Sequence, residues 1–354
     1  MDSLSQFALG AAVSVVAVGR RAPLWKSALW GGLCGTLPDL DALIDHGDPI
    51  RNMTFHRAES HSLLYLTVLS PLLAWLVARR GDGGDFRAWW LATFLALFTH
   101  PLLDLMTVYG TQLLQPFTDH PYAIGSVFII DPLFTLPLLF GLLASGVAKG
   151  ERRYRWNTAG LTVAVVYLGW SVAVQAWVTR TAERDLAAQG IAVERLLVTP
   201  TAFNTLLWRI VAMEPGGRGY HEGFHSLLDV PGPLRFDRFT SERQIFDQLR
   251  GNWGMERIAW FSHGFFKMVR RDDLVTIADI RMGQEPGYTF EFAVARGTPN
   301  PGWREIAYVT VGSRGDTGAL LEWLWPRIAG SGLPPPRHGS APQAAAPERQ
   351  ADAT

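Results

Sequence analysis

Cysteine is almost missing from this chain: Cys34 is the only one in 354 residues. A single thiol excludes an intramolecular disulfide and any zinc site built on cysteines, and its apolar neighbours make Cys34 a packing residue. Charge is scarce as well. Lys, Arg, Asp and Glu make up 18% of the residues and cancel to zero net charge, against roughly 25% charged residues in an average soluble domain. With no basic excess, nucleic acid is excluded as a main partner. The opening Met1-Asp-Ser-Leu carries no basic n-region, so residues 1–19 read as a retained helix rather than a cleaved signal peptide. Internal repeats are lacking too.

Apolar residues are abundant, 48% of the chain including 14 Trp, and they are unevenly spread. Residues 1–180 hold long apolar runs, 181–330 have the composition of a soluble domain, and 331–354, with Pro334-Pro-Pro336 and Ala344-Ala-Ala346, read as a disordered tail. A membrane-crossing helix needs about 20 mostly apolar residues. About six segments qualify, at roughly 3–19, 26–44, 61–78, 88–108, 126–148 and 157–178. Gly31, Gly32 and Gly35 also allow the first two to be a re-entrant pair. The expected fold is therefore an α-helical membrane bundle of about six transmembrane helices, followed by a small α+β soluble domain.

Loop charge orients such a bundle. Arg20, Arg21, Lys26, Arg79, Arg80, Arg87, Lys149, Arg152, Arg153 and Arg155 fall in one set of loops, whereas the opposite loops, 45–60 and 109–125, hold only Arg51 and Arg57. The positive-inside rule makes the ten-residue set cytoplasmic. A bacterial inner-membrane protein of this kind has both termini in the periplasm, and 181–330 becomes a periplasmic domain. There, Leu206–Met213, Gly219–Leu228, Ile258–Val269, Leu274–Arg281 and Tyr288–Ala295 read as strands of antiparallel hairpins, with Ser241–Leu249 as a helix packed on the sheet.

Three polar clusters interrupt the apolar half: Thr36-Leu-Pro-Asp39-Leu-Asp41, His56-Arg-Ala-Glu59-Ser-His61-Ser62 and Thr99-His100-Pro-Leu-Leu-Asp104. Carboxylates and imidazoles are the ligands of divalent metals, and ionisable groups in or beside membrane spans are costly enough to mark functional sites. The topology puts all three clusters at one membrane level. His100 and Asp104, four apart on a helical run, share a helix face; an interior hydrogen bond is the plain alternative. Asp39 and Asp41 point the same way only if the span unwinds at Leu37-Pro38; two interfacial carboxylates are the alternative there. His56 and His61 are five apart and converge if His56 lies on the loop and Ser60 caps the next helix; otherwise they belong to a polar interfacial loop. Glu59 is placed to act as a base or as a supporting partner of the ligands, and Arg57 to hold an anionic substrate oxygen. Asp131 is a ligand, a supporting partner or a helix cap.

These motifs, with Met1-Asp-Ser-Leu-Ser-Gln6, Tyr109-Gly-Thr-Gln-Leu-Leu-Gln-Pro116 and Ser126-Val-Phe-Ile-Ile-Asp-Pro132, resemble the membrane-bound metal-dependent hydrolases of the YdjM type over about residues 1–145. Ser5-Gln6 stands where many members have Thr-His, and Ala58, Glu59 and Ser60 also depart from the usual second cluster. The resemblance implies an inner-membrane protein whose Asp39, Asp41, His56, His61, His100 and Asp104 hold one or two divalent ions of the zinc or manganese type. A metal there would activate water against an ester or phosphoester of a membrane lipid or lipid-linked substrate.

Two other functions compete. His221-Glu222-Gly-Phe-His225 matches the zinc-protease pattern, but Gly216, Gly217, Gly219, Gly223 and Pro231 around it favour a strand. There the two rings would lie roughly 13 Å apart, and His263 is the only third ligand on offer. Alternatively, the protein is a non-catalytic membrane scaffold whose metal is structural and whose coordination is closed.

Overall fold

A computed structural model of the chain describes residues 1–79, 85–298, 302–313 and 315–337. Arg80 and positions 338–354, most of the expected tail, lie outside the described residues.

Among the described residues, seven α-helices form the first half: α1 (Ser3–Val18), α2 (Leu24–Thr36), the short α3 (Pro49–Phe55), α4 (Leu63–Arg79), α5 (Phe86–Leu105), α6 (Pro132–Val147) and α7 (Glu151–Ala188). Their starts are written in side chains. Asp2, Asp48, Asp85 and Asp131 each accept from first-turn backbone N–H groups of α1, α3, α5 and α6, and proline occupies the first position of α3 and α6. Asp131 is thus a cap. α2 stops at Thr36 because Leu37-Pro38 leads into a 3-10 turn, Pro38–Leu43.

Three segments, Ser3–Arg21, Phe86–Leu105 and Glu151–Ala188, are each long and apolar enough to cross a membrane; a pair bent by 54°, Pro49–His61 with Leu63–Arg79, makes up to four. α2 and α6 are shorter, at 13 and 16 residues. Close approach of backbones holds the bundle together. A Cβ on Gly31 would meet the Gly10 carbonyl oxygen at 2.3 Å, and one on Gly160 would meet that of Pro137 at 2.4 Å, the small-residue packing by which helices associate without help from water.

α7 runs on past the bundle into a sheet-rich half. β1 (Arg195–Pro200), β2 (Leu207–Met213), β3 (Gly219–Ser226) and β4 (Phe236–Thr240) form one antiparallel sheet in chain order. β5 (Phe266–Arg271), β6 (Leu274–Asp279), β9 (Glu291–Gly297) and β10 (Trp303–Thr310) form a second, ordered β10-β9-β6-β5, with β7 (Gly283–Gln284) and β8 (Gly287–Tyr288) as a small hairpin. Val178, Ala182 and Leu186 of α7 pack against Val198, Trp208 and Ile210 of the first sheet. Three further helices are α8 (Arg243–Gln248), α9 (Trp253–Phe261) and α10 (Thr317–Ile328). The expected strand Ile258–Val269 therefore begins as the end of α9 and is strand only from Phe266. Asn252 caps Met255, and Met255, Ile258 and Phe261 bury one helical face; the strand begins only after the left-handed His263 and Gly264.

The two halves share one core. Ile50 and Met53 of α3 and Tyr109 from the loop after α5 sit in a single cluster with Met255, Ile258, Phe261, Val275 and Phe292 of the sheet domain. Polar ties reinforce it: Arg257 Nε donates to Thr54 at 3.1 Å, and His263 Nε2 donates to the Pro121 carbonyl at 2.8 Å.

Candidate metal centre

Four of the six expected ligands converge. Asp39 comes from the 3-10 turn after α2, His61 from the single turn Glu59–His61 before α4, and His100 and Asp104 from one face of α5. Their ligand atoms all lie within 4.8 Å of one another. His61 Nε2 is 3.0 Å from His100 Nε2, 3.1 Å from Asp104 Oδ2 and 3.5 Å from Asp39 Oδ1. His100 Nε2 is 3.3 Å from Asp104 Oδ2 and 3.4 Å from Asp39 Oδ1. A tetrahedral zinc with ligands at about 2.0–2.1 Å separates them by about 3.3–3.4 Å, and the distances between the two imidazoles and from each imidazole to the two carboxylates bracket that spacing. The side chains of His61, His100 and Asp104 are fully buried, and that of Asp39 is 18% exposed. Asp104 Oδ2, which faces both rings, accepts no hydrogen bond. A buried carboxylate oxygen without a donor, opposite two imidazole nitrogens, is a donor set that fits a cation.

The surrounding shell sets the tautomers. His100 Nδ1 donates to the Gly35 carbonyl at 2.6 Å, which leaves Nε2 as the lone pair facing the centre. His61 Nδ1 donates to Ser60 Oγ at 2.8 Å, and Ser60 Oγ donates in turn to Asp41 Oδ2 at 2.5 Å. On the far side of Asp104, Oδ1 accepts from the Met1 amine, from Gln6 Nε2 at 3.1 Å and faces Arg57 at 3.3 Å.

Asp41 and His56 are the two expected ligands that stand outside the cluster. Asp41 accepts from His56 Nδ1 at 2.8 Å, from the Arg57 backbone N–H at 3.0 Å and from Ser60, and the His56 ring lies 6.0 Å from that of His61. The reason is geometric. At about three residues per turn, positions 39 and 41 of a 3-10 turn diverge by about 120°, so one carboxylate reaches the centre and the other turns back onto the loop. Ser62, rather than Ser60, caps α4 through the Tyr65 N–H.

Arg57 is buried in a left-handed conformation, φ 64°. Its guanidinium lies 4.9 Å from the Tyr109 ring centre and donates to Thr107 at 3.1 Å, so it faces Asp104 and not the surface. Glu59 is exposed on its turn. Ser60, expected as a helix cap, instead bridges His61 and Asp41; Tyr109, read only as part of a motif, packs on His56, and Thr107, which accepts from Arg57, carried no signal in the sequence. The signal available for Gln6 was a lone amide inside an apolar helix, and the buried amide bonds Asp104 and the His100 carbonyl.

His221 and His225 stand on strand β3, not on a helix. His221 Nε2 pairs with Glu214 at 3.1 Å, the His225 ring lies 5.5 Å from that of Trp177, and Glu222, on the opposite face, is held at 2.7 Å by both Arg209 and Arg337. Four strand residues separate the two rings by roughly 13 Å, which no single zinc spans.

The family described as YdjM inner membrane protein matches residues 1–178, the stretch that contains every residue of the cluster. A curated relative, the "Uncharacterized protein YfhP" of Bacillus subtilis (strain 168), is 28% identical over 177 residues, 48% of this chain and 51% of that protein. The chain thus spans about half the length of the curated relative it matches. No solved structure matches.

Proposed function

This chain belongs to the YdjM inner membrane protein family, and we propose that it is a metal-dependent hydrolase of an ester or phosphoester presented by a membrane lipid or lipid-linked substrate. The observation that carries the reading is the convergence of Asp39, His61, His100 and Asp104 on one point. A divalent ion held by them would polarise a phosphoryl or carbonyl oxygen and ionise a water near neutral pH; two imidazoles and two carboxylates suit zinc.

The chain's own residues divide the remaining work. Arg57 serves as a positioning residue that holds Asp104 from behind, instead of reaching substrate. His56 donates Nδ1–H to Asp41 and keeps the Nε2 lone pair on a part-exposed ring, which makes it a proton acceptor beside the centre. Glu59, on the exposed turn, is a second acceptor at the mouth. Asp39, the one part-exposed member of the four, marks the side from which substrate approaches. The positive-inside pattern supports six crossings with both termini outside, the short α2 and α6 completing the set, and reporter fusions after Lys149 and Ser331 should read cytoplasm and periplasm respectively.

Metal analysis of purified protein beside a His61→Ala/Asp104→Ala variant tests the centre: loss of metal in the variant is expected, and equal content in both sinks the reading. Incubation with envelope lipid extract, with and without chelator, tests the reaction through a chelator-sensitive product. A structural metal in a membrane scaffold is the second reading, favoured by the burial of three of the four ligand side chains and by a protein ligand count that closes a tetrahedron. It predicts chelator-induced unfolding without any chelator-sensitive product.

A further inference from the structure

The sheet domain carries an apolar surface that none of the described residues covers. α10 buries Trp323, Leu324 and Ile328 against Leu207 and Phe224, yet its opposite face presents Leu321 and Trp325, the latter 59% exposed. Beside it the turn after β3 presents Leu228 and Val230, at 57% and 83%, and the segment after α10 presents Leu333 at 47%. These pieces are one surface. The Leu228 carbonyl packs on Gly330, and Trp323 Nε1 donates to the Leu333 carbonyl at 3.0 Å.

Its position says what covers it. Phe203, packed against the α10 cluster, lies edge-on to Phe128 with ring centres 5.9 Å apart. Phe128 is followed by Ile129 and Ile130, just before α6, and by Leu133 in its first turn, all exposed, and Thr205, two residues on from Phe203, is hydrogen-bonded to Tyr167 of α7. Through Phe203 and Thr205 the buried face of α10 is therefore anchored beside α6 and α7, whose outward Leu133, Leu136 and Val163 are exposed where a member of an inner-membrane family meets lipid, and the free face of α10 stands next to that flank. Charge on it is muted: Arg327 is neutralised by Asp229, and Glu322 is the exposed charge of the helix.

We propose that α10 and the 228–230 turn seat the sheet domain on the bilayer, with Leu321, Trp325, Leu228 and Val230 inserted at headgroup level. Tryptophan at an interface and apolar side chains on a part-polar helix are the composition of such a contact. Insertion by apolar burial, without a basic patch, predicts indifference to lipid charge. The proposal rests on the chain's place in a membrane and not on the metal centre.

The chain's single cysteine makes the test direct. In a Cys34→Ala background, nitroxide labels are placed one at a time at Trp325, Val230, Leu143 of α6 and Asp272 of the β5–β6 turn, and the full chain is reconstituted in nanodiscs of neutral or anionic phospholipid. Power saturation is then read with oxygen and with a water-soluble nickel chelate. The expected result is loss of nickel accessibility with high oxygen accessibility at 325 and 230, as at 143, in both lipids. Nickel accessibility equal to that at 272 overturns the proposal. Shielding from both reagents, the mark of a protein partner or a second copy, overturns it too, as does a contact seen only in anionic lipid.

Discussion

Replacing Ser60 by alanine isolates the hydroxyl that links Asp41 to His61. The residue touches no metal position. It accepts Nδ1–H of His61 at 2.8 Å and donates to Asp41 Oδ2 at 2.5 Å, so it keeps the proton on Nδ1 and the lone pair on Nε2. Removing an outer partner of a metal-binding histidine costs about 10–100-fold in affinity, or about 1.4–2.8 kcal/mol at 1.4 kcal/mol per decade. The structure narrows the range. With Oγ gone, His61 Nδ1 still faces Asp41 Oδ2 at 3.6 Å, beyond hydrogen-bond reach but close enough for residual attraction, so Ser60→Ala should fall near the tenfold end. Asp41→Asn also removes the acceptor of His56 and of the Arg57 N–H and should approach the hundredfold end. Ser60→Thr keeps the hydroxyl and should bind as the parent does. The assay is competition for zinc against a chromophoric chelator, with melting of the metal-free proteins to separate loss of fold from loss of affinity. Unchanged affinity in Ser60→Ala, or equal weakening in the alanine and threonine variants, refutes the chain of hydrogen bonds.

Two further outcomes follow from packing and burial. Burial of His225 in the sheet domain holds its pKa below the ordinary imidazole value, outweighing the Asp229 carboxylate 3.4 Å from Nδ1. The unfolded chain, titrating at about 6.5, then takes up the proton more readily, so stability should fall as pH drops below about 6.5 and level off below the folded value; thermal melts across this range should flatten in His225→Phe, and an unchanged slope contradicts the assignment. Gly31→Ala would set a methyl 2.3 Å from the Gly10 carbonyl oxygen and 2.2 Å from Ser14 Cβ. Forcing α1 and α2 apart should cost about 1–3 kcal/mol in detergent unfolding and should weaken metal binding as well, because α2 carries the Gly35 carbonyl that orients His100.

What the sequence made legible was the set of groups, and what it left open was their direction. His100 and Asp104 sit on a regular helix, where spacing four fixes a shared face, and they meet as expected. The loops between helices obey no such period. Alternation put Asp39 and Asp41 together, whereas the 3-10 turn parts them; the five-residue gap from His56 to His61 contains a left-handed Arg57 that residue type does not announce. Arg57 was expected at substrate because a cation beside histidines suggests an anion, but only the fold reveals the buried Asp104 that claims it. In the sheet domain the hairpins β2–β3 and β5–β6 follow their turn residues. α9 and α10 were hidden, since Trp, Ile and Phe suit strands as readily as buried helix faces. The span count depends on α2 and α6, whose lengths fall short of a bilayer taken singly.

Tyr109 ties the two halves together in time as well as in space. Its ring lies 5.7 Å from His56, 5.6 Å from Phe261 and 5.7 Å from Phe290, and its hydroxyl donates to the Met53 carbonyl at 2.7 Å. The loops that present the ligands therefore use side chains synthesised some 150 residues later as their hydrophobic support. The turns and the helix that carry Asp39, His61, His100 and Asp104 are synthesised before the aromatic side chains that close around Tyr109. A chain truncated after α7 would therefore keep all four residues but lose Phe261 and Phe290, the support of the Tyr109 ring beside His56.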